Sequence, residues 1–187
     1  MSLNIKISDF EISNKNKLTV IAGLNILESE DQTLETAIEL KKIVSKTNSP
    51  FIFKASFDKA NRSSIDSYRG LGFKKSMEIF RLLKSEGFNL ITDIHEINQV
   101  DKIAEIVDII QIPAFLCRQT DLLIAAAKTN KIINVKKGQF LAPWDMVNVT
   151  KKISESGNEN ILVTERGASF GYNTLVSDMR SIPIMAK

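Results

Sequence analysis

Six places in the sequence set polar side chains directly after a short apolar run. They are Asn25 and Glu28; Lys54, Ser56, Lys59, Asn61, Arg62 and Ser63; Asp93, His95 and Glu96; Gln111 and, further on, Arg118; Lys136, Lys137 and Gln139; and Glu165, Arg166 and Ser169. Cations come from at least three of these places: Lys54, Lys59 and Arg62, then Lys137, then Arg166. Arginine grips an oxyanion through two parallel donors, and lysine adds a compact point charge. Cations gathered from separate segments suit ligands with several phosphate or carboxylate groups. Asp93 is open to three roles: helix cap, partner of a lysine, or a group that works on substrate. His95, the only histidine, reads by itself as a structural residue.

The apolar runs that carry these residues are 18–22, 51–54, 89–92, 109–112, 132–135 and 160–163. Near-continuous runs of this length predict strands buried on both faces. Helical patterns lie between them. Ser29-Glu30-Asp31-Gln32 has capping-box form, and Leu34, Ala37, Ile38, Leu40, Ile43 and Val44 follow at helical spacing. Phe73, Met77, Phe80 and Leu83 form a second stripe that Gly87 can end. Ile97, Val100, Ile103 and Ala104 form a shorter one; residues 121–128 are rich in Leu and Ala; Met146, Val149 and Ile153 form a fifth stripe; and 175–179 predicts the start of another helix. Six β-α units imply a parallel sheet covered by helices, either an open doubly wound sheet or a closed barrel. In both, ligands sit at the carboxyl ends of the strands, which is where the polar groups fall. Residues 4–12 alternate around Ser8-Asp9 and predict a small hairpin outside the repeat.

The composition excludes several classes. With 187 residues, 43% of them hydrophobic and 25% charged, the chain fits one folded domain and neither disorder nor a collagen-like repeat. No run of about 18 apolar residues is present, so no transmembrane helix is expected, and the N-terminus lacks the pattern of a secretory signal. A net charge of +3 is too mild to argue for nucleic acid. Cys117 stands alone, which excludes an intramolecular disulfide, fits a reducing compartment and reads as a buried thiol. Gly70-Leu71-Gly72-Phe73-Lys74-Lys75-Ser76 precedes a helix but lacks the dinucleotide fingerprint, and reads as a loop with a helix cap. P-loop, HExxH, GxSxG and CxxC spacings are absent.

Five segments together resemble a known family. They are residues 54–64 (KASFDKANRSS), 92–95 (TDIH), 111–121 (QIPAFLCRQTD), 134–140 (NVKKGQF) and 164–167 (TERG) with Phe170, Gly171 and Tyr172. In this order they closely resemble the synthases of 3-deoxy-manno-octulosonate 8-phosphate, from about Leu18 to the last residue. The resemblance implies a (β/α)8 TIM barrel, about six of whose βα units are present, and a cytoplasmic homotetramer of lipopolysaccharide biosynthesis. It implies an enzyme that condenses phosphoenolpyruvate with D-arabinose 5-phosphate and releases inorganic phosphate. Related synthases that use erythrose 4-phosphate typically carry Lys-Pro-Arg-Thr where this chain reads Lys59-Ala60-Asn61-Arg62-Ser63, which favours arabinose 5-phosphate. By motif position, Lys54, Ser56, Lys59 and Gln111 would hold the phosphoenolpyruvate carboxylate and reacting centre, and Lys137 and Arg166 its phosphate. Asn61, Arg62 and Ser63 would take the aldose phosphate, Asp93 would lie near the aldose hydroxyls, and Arg118 would reach the site of a neighbouring subunit. Lys59, Asn25 and Asp93 are the expected catalytic group.

Asn25 carries a separate implication. The family has metal-dependent members with Cys at this point and metal-independent members with Asn. A neutral amide is a poor transition-metal ligand beside a thiolate, so neither a metal nor another cofactor is expected. The expected partners are the two phosphorylated substrates, without nucleic acid or membrane. Residues 1–187 are expected to form a single barrel domain that stops before strands seven and eight. The alternatives are the erythrose 4-phosphate synthase activity and a truncated, non-catalytic binding or assembly module.

Overall fold

Ile5 and Ile7 are buried while Lys6 between them is exposed, the period-two pattern of a strand with one covered face. In the computed structural model, which describes residues 4–186, this strand β1 (Ile5–Ile7) pairs antiparallel with β2 (Phe10–Ile12), Ile7 opposite Phe10. Ser8, at φ 49°, makes the turn of the anticipated hairpin.

The chain divides into two compact units. The first runs to Asp93 and adds Glu105–Asp108. After the hairpin it contains β3 (Val20–Gly23), α1 (Glu30–Ser45), β4 (Phe51–Lys54), α2 (Phe73–Ser85) and β5 (Leu90–Asp93). The three strands are parallel, with Gly23 beside Lys54 and Lys54 beside Ile91. Gly23 is required there: a Cβ would sit 2.0 Å from the Lys54 carbonyl oxygen. Ser29 caps α1 by accepting from the Gln32 N–H at 3.2 Å. The covered stripe of α1 is narrower than its apolar pattern, since Ile38 and Ile43 are exposed while Thr33, Ala37 and Val44 are buried. Gly87, at φ 75°, ends α2 in a Schellman arrangement: its N–H donates to the Lys84 carbonyl and that of Phe88 to the Leu83 carbonyl. Asp108 ties residues 105–108 to this unit, accepting from Lys84 Nζ at 2.8 and 2.9 Å and from the Leu90 N–H at 2.7 Å.

The second unit takes Ile94–Ala104 and the described residues from Ile109 on. It contains α3 (Val100–Ala104), β6 (Ile109–Ile112), α4 (Thr120–Ala127), β7 (Ile132–Lys136), α5 (Met146–Ser154) and β8 (Ile161–Thr164). Gln111 lies beside Asn134, and Asn134 beside Leu162, in a parallel three-strand register. The core strands β6 and β7 are buried along almost their whole length, as their apolar runs predict. Alternating strands and helices, with three parallel strands in each unit and a hairpin at the N-terminal side, bear out the expected α/β class.

The sequence expectation fails at residues 175–179. Leu175–Val176 forms β10, paired antiparallel with β9 (Ala168–Ser169), and the last helix, α6 (Ser181–Met185), starts later. Gly171 and Asn173, at φ 63° and 58°, turn the chain so that Leu175 returns beside Ser169. Asp178 then stops the strand: its side chain accepts from the Arg180 N–H and its carbonyl from the Ser181 N–H. Five residues give too short a helical pattern to outweigh this turn chemistry.

Candidate active site

Lys54 closes β4, and the chain then carries Ser56 and Lys59 into the loop before α2. Both ammonium groups reach one hydroxyl, each Nζ lying 3.1 Å from Ser56 Oγ. That hydroxyl donates to Asp93 Oδ2 at 2.6 Å, and Lys54 Nζ donates to the same carboxylate oxygen at 3.1 Å. Ser56 and Asp93 are buried. The Ser56 hydroxyl donates to the carboxylate and accepts from both ammonium groups, a pattern its one donor and two acceptor positions allow. Asp93 thus pairs with Lys54, one of the readings its sequence left open.

The rest of this loop is pinned at its base and exposed at its tip. Arg69 donates to the Asp58 carboxylate through both Nε, at 2.8 Å, and a second guanidinium nitrogen. Arg62 Nε donates to the Tyr68 carbonyl at 3.1 Å, and the Tyr68 hydroxyl to the Leu27 carbonyl at 3.0 Å. Asn61, Arg62 and Ser63 lie exposed within the closed span. Sequence reading missed Asp58 and Arg69, because nothing in a pair eleven residues apart marks it as a clamp. Asp58→Ala is expected to loosen residues 59–68 and to cost ~1 kcal/mol or less, the range for such a pair. Faster amide hydrogen exchange across residues 59–68 in the variant checks this.

In the second unit a buried amide chain crosses the three strands. Thr164 Oγ1 donates to Asn134 Oδ1 at 2.9 Å, and Asn134 Nδ2 donates to Gln111 Oε1 at 2.9 Å. Gln111 and Asn134 are buried. Asn134 was absent from the expected site residues. A polar residue inside the otherwise apolar run 132–135 was the available signal, because a buried amide must find hydrogen-bond partners.

Lys137, just past β7, is only 1% exposed. Its ammonium donates to the carbonyls of Gly138, Leu141 and Gly167 at 3.3, 3.2 and 3.2 Å, and Glu165 Oε1 lies 3.6 Å away. Glu165 also accepts from the Gly167 N–H. Lys137 thus ties together the segments after β7 and β8. Arg166, its expected companion on a phosphate, is exposed.

Asn25, in the bend after β3, and Arg118 are exposed as well, and the Arg118 carbonyl accepts from Lys152 Nζ at 3.3 Å. The backbone N–H of His95 donates to Gln99 Oε1 at 2.8 Å, so the segment at His95 is fastened to the helical turn that follows. Cys117 is buried, as expected, and burial pushes its thiol up from the ordinary value. Its stabilising contribution is present below the unfolded thiol pKa of about 8.5 and is lost as pH rises above it. Alkylation by iodoacetamide near neutral pH is therefore expected to be slow in the folded protein and fast in denaturant.

Parallel strands flanked by helices, with cationic and amide side chains at the strands' carboxyl ends, mark each unit as belonging to the α/β proteins whose ligands sit at strand ends. More narrowly, the chain belongs to the DAHP synthetase I family, whose model matches residues 3–187. It is 56% identical over 184 residues to a 2-dehydro-3-deoxyphosphooctonate aldolase of Brucella anthropi, covering 98% of this chain and 66% of that protein. It is equally similar over 183 residues to proteins of the same name from Brucella ovis and Brucella melitensis, covering 97% of this chain and 66% of each. The chain therefore spans just under two thirds of the length of these relatives. Among the described residues, no helix is long and apolar enough to cross a membrane, and no three His, Cys, Asp or Glu side chains group as metal ligands.

Proposed function

We propose that this chain carries the substrate-binding strands of a cytoplasmic enzyme that condenses phosphoenolpyruvate with D-arabinose 5-phosphate, giving 3-deoxy-D-manno-octulosonate 8-phosphate and inorganic phosphate. The observation that supports this best is the convergence of Lys54 and Lys59 on Ser56 beside buried Asp93, in a chain 56% identical to 2-dehydro-3-deoxyphosphooctonate aldolases. The proposed scaffold is a single (β/α)8 barrel, which requires two strands beyond the six parallel ones described.

In the proposed mechanism Lys54, Ser56 and Gln111 hold the phosphoenolpyruvate carboxylate, and Lys137 and Arg166 hold its phosphate. Asn61, Arg62 and Ser63 seat the phosphate of the aldose, Asp93 faces its hydroxyls, and Asn25 completes the catalytic group. Holding both substrates at attack distance supplies much of the rate gain. The enol carbon bonds to the aldehyde carbon while Lys59 delivers a proton to the developing alkoxide. Water adds to the carbon bearing the phosphate, and that carbon–oxygen bond then breaks, so phosphate leaves with the bridging oxygen. Cationic side chains stabilise the charge that develops. Arg118 reaches the site of a neighbouring subunit in a homotetramer.

The test is phosphate release by the full chain from phosphoenolpyruvate labelled with 18O at the bridging position. Labelled phosphate with arabinose 5-phosphate, and much slower release with erythrose 4-phosphate, is expected. Faster turnover of erythrose 4-phosphate overturns the substrate assignment, and no turnover with either aldose overturns the enzymatic reading. The enzyme is also proposed to need no metal, because Asn25 stands where a thiolate would be the ligand. Activity is expected to survive exhaustive chelation, and its loss on chelation with recovery on adding a divalent metal ion would sink this proposal.

A further inference from the structure

Ser56 and Lys59 stand at the base of the loop after β4, and Arg62 stands on its exposed part. Hydrogen bonds join these points through the segment after β3, all within the first unit. The Leu27 N–H donates to the Ser56 carbonyl at 3.1 Å. The Leu27 carbonyl accepts from the Tyr68 hydroxyl at 3.0 Å, and the Tyr68 carbonyl accepts from Arg62 Nε at 3.1 Å. Leu27 is fully buried, so its carbonyl is a fixed point. The exposed Arg62 side chain has little packing around it, so its bond to Tyr68 is what orients the guanidinium.

We infer that Tyr68 is a positioning residue that holds Arg62 at a set distance from the Ser56 centre, and that this spacing selects the aldose by its length. The inference rests on the proposed arabinose 5-phosphate site and deepens it. A guanidinium has a side edge, which includes Nε, and an end edge made of the two terminal nitrogens. The Tyr68 carbonyl takes Nε, so the end edge is the one left for an anion. Two parallel donors there match two oxygens of a phosphate monoester. The aldehyde end of the same substrate belongs at Lys59, whose Nζ lies 3.1 Å from Ser56 Oγ. With both ends pinned, a five-carbon aldose phosphate spans the gap and a four-carbon one leaves an end unheld. An Arg62 free to swing would follow either phosphate and lose that choice.

Tyr68→Phe is the sharpest probe, because it keeps the ring and the backbone carbonyl and removes only the hydroxyl that reaches Leu27. The KM for arabinose 5-phosphate is expected to rise about fivefold, with kcat and the Kd for phosphoenolpyruvate within about twofold. The preference for arabinose 5-phosphate over erythrose 4-phosphate, as a ratio of kcat/KM values, should fall by about the same fivefold. An unchanged ratio overturns the selection by length. Arg62→Lys keeps a charge for the phosphate but loses the Nε–H that the Tyr68 carbonyl accepts. In that background Tyr68→Phe should raise the KM little further. An undiminished effect there means Tyr68 does not act through Arg62 and overturns the positioning role.

The readout that does not depend on substrate is the exchange of the Arg62 Nε–H proton with water, followed by NMR at mildly acidic pH in the protein without ligand. The bond to Tyr68 slows this exchange, which should become severalfold faster in Tyr68→Phe. Unchanged exchange overturns the positioning role even if arabinose 5-phosphate is turned over normally. Faster exchange in a protein that turns over neither aldose upholds the positioning of Arg62 and overturns the site reading on which its purpose rests.

Discussion

Asp93→Asn is expected to lower turnover by roughly 10²–10³-fold, the range seen when one preorganised electrostatic group is lost from a reacting centre. The reason lies in how two ammonium groups are kept on one hydroxyl. Lys54 and Lys59 each sit 3.1 Å from Ser56 Oγ, and the Asp93 carboxylate supplies the negative charge that accepts from both Ser56 and Lys54. An asparagine keeps the shape and an acceptor for the Ser56 hydroxyl, but it removes the charge. Lys54 and Lys59 then repel, and the geometry that would polarise a substrate carbonyl relaxes. The loss of a charged hydrogen bond also lowers stability by about 2 kcal/mol, measurable by urea unfolding. If turnover falls while phosphoenolpyruvate binding stays within about threefold, Asp93 acts on the reaction itself rather than on ground-state binding. Unchanged turnover would remove Asp93 from the mechanism.

The strands were the most legible part of the fold, because β-branched runs bounded by polar residues identify buried strands without reference to anything distant. Five of the six carry expected polar residues just past the last strand position, as with Ser56 and Lys59 after β4 and Glu165 after β8. The helices were legible where caps were explicit, as at Ser29 and Gly87. They were not legible at residues 175–179, where a turn at Gly171 and Asn173 decided the pairing and no apolar period could show it. The site was legible as a set of residues and illegible as a set of bonds. Asp93 could be named, but its choice of Lys54 depends on which strand lies beside β5. Asn134 shows in the sequence only as a polar residue inside an apolar run, and its bonds to Gln111 and Thr164 on neighbouring strands leave no trace in local spacing. Lys137 was named for its charge, while its burial against three carbonyls is a property of loops that meet only in the folded chain.

Lys137→Ala is expected to cost about 3–5 kcal/mol of stability, the effect of removing one partner from a buried charge pair. All three protons of the ammonium go to backbone carbonyls, those of Gly138, Leu141 and Gly167, and Glu165 lies 3.6 Å away. Alanine leaves these oxygens buried without their donor and leaves the Glu165 carboxylate without its counter-charge. Pairing Lys137→Met with Glu165→Gln removes both charges and fills the space, so the double variant should recover a large part of the loss. The same bonds bear on the proposed phosphate clamp. To grip the phosphate of phosphoenolpyruvate, Lys137 must give up at least one carbonyl, so binding the anion and releasing the loop segment become one event. The double variant separates the two roles. Stable folding with phosphoenolpyruvate affinity reduced by about 10-fold or more assigns the ammonium to the ligand as well as to the loops. Stable folding with affinity and turnover unchanged makes Lys137 a structural tie only, and moves the phosphate onto Arg166 without it.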